Sequence, residues 1–236
     1  MARRPGDRAV PPGRPPGDEA VRPVGPHLRE VDGAQVVVER VQEAAPRLGR
    51  VRLVCLDGPA GSGKTTTAGR VAELLRRRGV GVAVVHLDDL YDGWTGLEGS
   101  LWPRLSAQVL EPLRRGRPGR FQRYDWDVAA FGSWVDVPVV PVLVLEGCGS
   151  ARREADALSS LQVWVEAPDD VRLARGLARD GAGARDHWAR WMTDEREHFA
   201  REGTRDRAHL RLDEHGHLLA VASAADRVTG RPPGLA

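Results

Sequence analysis

The sequence has no Asn, no Ile and a single Lys. Because that Lys is residue 64, 34 of the 35 basic side chains are Arg, the pattern left by a GC-rich coding bias. Cysteine is scarce as well: Cys55 and Cys148 are the whole complement, which excludes a disulfide scaffold, and both read as buried small side chains rather than nucleophiles. Long apolar runs are missing. Residues 139–145, interrupted by Pro141, fall far below the roughly 20 residues that a membrane-crossing helix needs. The Arg- and Pro-rich N-terminal stretch has no apolar segment of the secretory type. Charge of one sign is also lacking, since 35 basic against 33 acidic residues leave +2, no electrostatic footprint for nucleic acid. These absences point to a soluble chain of a reducing cytoplasm, with neither a membrane nor a nucleic-acid partner, and leave the oligomeric state open.

With 236 residues, 41% of them hydrophobic, the chain can bury one core of ordinary size. Seven of its 17 prolines fall within residues 1–26, which predicts a disordered arm there. One domain is expected over residues 27–230 and a short tail over 231–236. A helix is predicted after Asp32, which can cap it, with Val36, Val37, Val41 and Ala44 on one side. Short apolar runs at 51–57, 80–87, 139–145 and 161–165 read as buried strands. Helical spacing occupies 64–78, with Gly79 as the stop, and later 169–180 and 185–201. Strands alternating with helices imply a parallel α/β sheet. Residues 91–136 read as an irregular insertion, too long for a plain connection and therefore expected to carry substrate contacts.

Gly58, Pro59, Ala60, Gly61, Ser62, Gly63, Lys64 and Thr65 satisfy G-x-x-x-x-G-K-[ST], between a predicted strand and a predicted helix. In that context the glycines let backbone N–H groups turn toward phosphate oxygens, Lys64 reaches the outer phosphates and the Thr65 hydroxyl ligates Mg²⁺. Thr66 extends the loop into the helix. A chain with no Asn, whose one Lys lies in this loop, cannot contain the N-K-x-D element that reads guanine, so a standard GTPase is excluded. An L-S-G-G-Q signature is absent too. Small-molecule phosphoryl transfer is the class left.

The segments at 58–65, 88–91 (DDLY), 145–147 (LEG) and 170–180 resemble, in order, those of uridine kinase and its P-loop nucleoside kinase relatives. The resemblance implies a P-loop NTPase-type α/β fold, a parallel sheet flanked by helices with a substrate insertion and a helical lid over about 169–201. It also implies ATP and Mg²⁺ as cofactors. Carried over by motif position, Asp88 is the catalytic base, Glu146 the metal-associated carboxylate beside Thr65, and Arg172, Arg175 and Arg179 the lid arginines. Two departures stand out: Asp89-Leu90 replaces the family's Ser-Phe, and its N-F-D-H-P-x-A segment has only a loose counterpart in Arg123-Tyr124-Asp125-Trp126.

The residues support the same roles on their own chemistry, with alternatives. An Asp at the carboxyl end of a parallel strand beside the P-loop strand faces the ligand crevice and can accept a hydroxyl proton; Asp89 could do the same, or either could cap the next segment. Glu146 could equally end a strand in solvent. Arg172, Arg175 and Arg179 share one helical face, which in so Arg-rich a chain could also be a solvated one. Tyr91, Arg123, Tyr124, Asp125 and Trp126 are the expected acceptor contacts, the Trp stacking on a flat base or, equally, packing the insertion onto the core, and the acid binding hydroxyls. Trp188 and Trp191, at helical spacing, read as core contacts of the lid. His86, His187, His198 and His209 lack metal-ligand spacing and read as structural or exposed. The function expected is transfer of the ATP γ-phosphoryl group to a small-molecule hydroxyl, with a nucleoside such as uridine or cytidine as acceptor. The rivals are a cytidylate-type kinase, whose P-loop residues 56–64 also resemble, and a non-catalytic ATP-binding switch.

Overall fold

The computed structural model describes residues 31–221; the arm expected over 1–26 and the tail over 231–236 lie outside them. Asp32 caps helix α1 (Gly33–Glu43), its carboxylate accepting the Ala34 N–H at 3.1 Å. The buried side of α1 is Ala34, Val37, Val38 and Val41, so Val36, expected there, is displaced to the flank and only half-buried. Strand β1 (Arg52–Asp57) leads through the glycine loop into α2 (Lys64–Arg77), and β2 (Val82–His86) runs into a single turn, Leu87–Asp89.

The insertion is ordered rather than irregular. Helix α3 (Leu101–Leu105) passes through a wide turn, Ser106–Leu110, into α4 (Glu111–Arg114), and β3 (Gly119–Asp125) pairs antiparallel with β4 (Ala130–Val137). The chain then returns as β5 (Val142–Glu146), β6 (Ser159–Val165), α5 (Asp169–Asp180), α6 (Arg185–Glu202), α7 (Thr204–Arg207), β7 (Leu210–Leu212) and β8 (Leu218–Val221).

The main sheet has the order β2-β5-β1-β6-β7-β8, parallel except for the antiparallel β8. Two expectations change here. The second strand, expected to be buried, is an edge with one fully buried residue, Val85. The strand beside the P-loop strand is β5, so Glu146, not Asp88, ends the immediate neighbour of β1.

Side chains alternate across the sheet as strand geometry requires. Val54, Leu56, Val142 and Val144 join α1 and α2 on one face, whereas Leu53, Cys55, Leu143 and Leu145 join the insertion helices and Trp191 of α6 on the other. Apolar residues on both faces explain why β1 and β5 read as continuous apolar runs. This double layer holds the carboxyl ends of β1, β5 and β2 at one edge, where ligands of open α/β sheets bind.

Candidate active site

Asp57, the last residue of β1, is fully buried, and its carboxylate accepts the N–H groups of Gly58 (2.7 Å), Gly149 (2.9 Å) and Ala151 (2.7 Å). Burial pushes its pKa up, and the hydrogen bonds from Ala151 and Gly58 pull against that rise. The arrangement ties the start of the P-loop to the turn after β5. Gly61 has φ +79°, and a Cβ there would meet the Arg172 carbonyl oxygen at 2.8 Å, so the close passage of α5 over the loop requires glycine.

Six of the nine expected loop residues, Ala60, Gly61, Gly63, Lys64, Thr65 and Thr66, line a cavity of about 820 Å³. Gly58, Pro59 and Ser62 lie behind it. The Lys64 ammonium donates to the Pro59 carbonyl at 2.8 Å. Burial alone would lower its pKa, yet surrounding anionic groups, Glu146, Glu195 and Asp57 among them, raise it on balance, so Lys64 is a cation. A triphosphate fits this loop: the cation, the helix N-terminus and glycines at positive φ face one space. Ser62 Oγ, inside the loop, is buried without a hydrogen-bond partner among the described residues.

The Thr65 hydroxyl donates to Glu146 Oε1 at 3.0 Å, and His86 Nδ1 lies 2.5 Å from the same oxygen. Thr65 and Glu146 thus offer adjacent hard oxygen donors, which suits Mg²⁺, a cation bound through one or two protein oxygens plus nucleotide phosphates and water. Among the described residues no cluster of three or more His, Cys, Asp or Glu could hold a metal.

Asp88 and Asp89 both line the cavity but have different partners. Asp89 pairs with Arg123 at 3.2 Å. Asp88 is exposed to the cavity but surrounded by protein; the desolvation this brings and then the Glu146 charge raise its pKa, against the pull of Lys64, Arg179 and His86. Arg175 and Arg179 also line the cavity, Arg175 donating to the Gly61 carbonyl at 3.1 Å and Arg179 pairing with Asp180 at 2.7 Å. Arg172, expected beside them, points elsewhere: it is buried between Glu195 and Asp169.

The acceptor set is only partly brought together. Tyr91 and Trp126 line the cavity; the Tyr91 hydroxyl donates to the Cys148 carbonyl at 2.8 Å, and the Trp126 indole N–H to that of Asp88 at 3.1 Å. Arg123, Tyr124 and Asp125 are not in the wall. Tyr124 packs edge-on against Trp126 and Phe131, and the Asp125 carboxylate accepts the N–H groups of Asp127 and Val128, closing the β3-β4 turn. The hairpin uses these side chains for its own geometry.

In their place the wall includes Trp94, Asp127 and His187, which sequence reasoning missed. His187, read as structural or exposed, stacks on Trp94 with ring centroids 5.3 Å apart. Trp188 and Trp191 are buried, as core contacts are, and also face the cavity. Their i, i+3 spacing with His187 before them was the available signal, but nothing in it told a cavity wall from a core.

A glycine loop closing on Lys64 and Thr65 at the carboxyl edge of a parallel sheet defines a P-loop nucleotide-binding fold. No family model and no curated protein matches the chain. Solved structures do. A possible uridine kinase from Bacillus stearothermophilus superposes with a TM-score of 0.55 at 21% identity, covering 77% of this chain and 98% of that one. A putative fructose transport system kinase from Silicibacter sp. is also similar, with a TM-score of 0.49 at 21% identity over 65% of this chain and 87% of that one. The chain has the α/β fold of the uridine kinase-like P-loop kinases.

Proposed function

We propose that the protein is an ATP- and Mg²⁺-dependent kinase that phosphorylates a hydroxyl of a small molecule, and that the acceptor is a nucleoside such as uridine or cytidine. The observation that carries this reading is one cavity holding the P-loop cation Lys64 at one side and the Asp88 carboxylate, whose proton affinity is raised, at the other. Asp88 would orient the acceptor hydroxyl and take its proton, and Lys64, Arg175 and Arg179 would offset charge on the transferring group. Thr65 and Glu146 would hold Mg²⁺, which would supply charge neutralisation at the phosphates. The fold shared with the neighbour described as a possible uridine kinase supports a small-molecule kinase. The same reading keeps the enzyme in the cytoplasm, where donor and cation are available.

The cavity favours a nucleoside over its monophosphate. A phosphorylated acceptor needs arginines of its own, and none of the insertion's arginines lines the cavity. Arg104 lies over the Phe131 ring, Arg114 and Arg115 pair with Glu111, Arg120 with Asp136 and Arg123 with Asp89. The one charged side chain that the insertion itself brings to the cavity among the described residues is acidic, Asp127, beside Asp88 and Asp89. A screen of nucleosides, nucleoside monophosphates, pantothenate and sugars for acceptor-dependent ADP release tests the reading. Release stoichiometric with a phosphorylated nucleoside is expected. A clear preference for a monophosphate would move the assignment to the cytidylate type, and ATP binding without any acceptor-dependent release would make the protein a switch.

A further inference from the structure

Glu195 sits in the middle of α6, 1% exposed; it adds to the negative charge around Lys64, and its hydrogen bonds go to the P-loop backbone and to neighbouring side chains. Its Oε2 accepts the Ala60 N–H at 2.8 Å and the Trp191 indole N–H at 3.0 Å, and the Cys148 thiol approaches the same oxygen at 3.5 Å. Its Oε1 accepts from Arg172 of α5 at 2.5 Å. The same Arg172 nitrogen donates to the Ala60 carbonyl at 3.0 Å, and its second terminal nitrogen to Asp169 at 2.6 Å. One buried ion pair therefore grips a single P-loop residue by both its N–H and its C=O.

Burying such a pair costs desolvation that its attraction barely repays, so stability alone is a weak reason for it. The geometry gives another. A phosphate nest needs its carbonyl oxygens turned outward so that the following N–H groups converge on the anion. Arg172 holds the Ala60 carbonyl outward, and Arg175, one turn along α5, does the same for that of Gly61 at 3.1 Å.

We propose that Glu195 and Arg172 are positioning residues that preset the P-loop for phosphate and lock it to the two helices carrying Arg175, Arg179 and Trp188. The inference rests on the P-loop reading above and adds to it a device outside the loop motif.

The test is calorimetric titration of the full-length protein with ATP and, separately, with inorganic tripolyphosphate, for wild type, Glu195→Gln and Arg172→Lys, with thermal unfolding recorded alongside. Glu195→Gln keeps an acceptor for Ala60 but loses the charge facing Arg172. Arg172→Lys keeps the charge but cannot reach Glu195, Asp169 and the Ala60 carbonyl together, and it carries the test should Glu195→Gln fail to fold. Both variants are expected to bind ATP and tripolyphosphate about 10-fold more weakly or worse, with acceptor KM within about twofold of wild type as for a loss confined to the donor side. A lowered Tm with unchanged affinity for both ligands, or a loss for ATP without one for tripolyphosphate, would overturn the proposal. A wild type that binds neither ligand would remove the P-loop reading itself, and this inference with it.

Discussion

Asp88 and Asp89 are adjacent and chemically identical, and their surroundings alone separate them. Asp89 is held by Arg123, whereas Asp88 faces Glu146, Lys64 and Arg179 across the cavity. Sequence could not choose between them, because their difference lies in which side chains the fold brings near. The sign of the Asp88 shift has a kinetic consequence. A carboxyl pKa raised by burial and by Glu146 keeps Asp88 protonated, and unable to act as a base, up to a pH above the usual carboxylate value of about 3.9. The kcat profile should therefore fall off on its acid side above that value, and the residual activity of Asp88→Asn should lack this limb. Lys64 was legible from its uniqueness and its motif. Lys64→Ala is expected to weaken ATP binding roughly 10- to 100-fold, the range for a lost charged hydrogen bond, with Tm little changed; equal ATP affinity in a titration of that variant would contradict its role. Asp125 shows the opposite case: an acid beside aromatics looked like a ligand group, and the turn N–H groups of Asp127 and Val128 occupy it.

At the scale of elements, runs of apolar residues disclosed the interior strands because β1 and β5 are covered on both faces. Their order was not legible, since the alternation of a strand says which faces are buried and nothing about which strand is beside it. The β3-β4 hairpin escaped because β4 is exposed along most of its length, leaving no apolar alternation to find. β7 and β8 are three and four residues long, too short for a pattern. The packing of α5 on α6 depends on one residue whose importance appears only in three dimensions. A Cβ on Gly176 would fall within the ring system of Trp188, whose indole N–H donates to Asp180 at 2.9 Å. Gly176→Ala should force the helices apart and cost about 1–3 kcal/mol, the usual range for overpacking. Denaturant unfolding that shows no loss would mean that the packing is looser than described.

Across the whole molecule, the cavity is assembled from segments far apart in sequence: the P-loop, the turn after β2, the insertion, α5 and α6. The insertion contributes Tyr91, Trp94, Trp126 and Asp127, and Trp94 meets Trp126, His187, Trp188 and Trp191 with ring centroids 5.3–6.4 Å apart. Its loop is tethered to α6 by Glu98, which bonds to His198 and Arg201. The glycine-loop side of the cavity was legible because a local motif builds it; the aromatic side was not, because long-range contacts do. If these rings receive a flat acceptor, Trp94→Ala should raise the acceptor KM roughly 5- to 100-fold, as for loss of one stacking partner, with the ATP KM nearly unchanged. A rise confined to ATP in steady-state kinetics would place the acceptor elsewhere.

The most direct test of one shared site for donor and base is single-turnover phosphoryl transfer by Asp88→Asn, with ATP affinity measured on the same samples and Asp89→Asn as the control. The expected result is a transfer rate lowered on the order of 10²- to 10⁴-fold, as for loss of a positioned base, with ATP affinity kept and Asp89→Asn far less affected. Transfer by Asp88→Asn at the wild-type rate, or Asp89→Asn as the crippled variant, would contradict it.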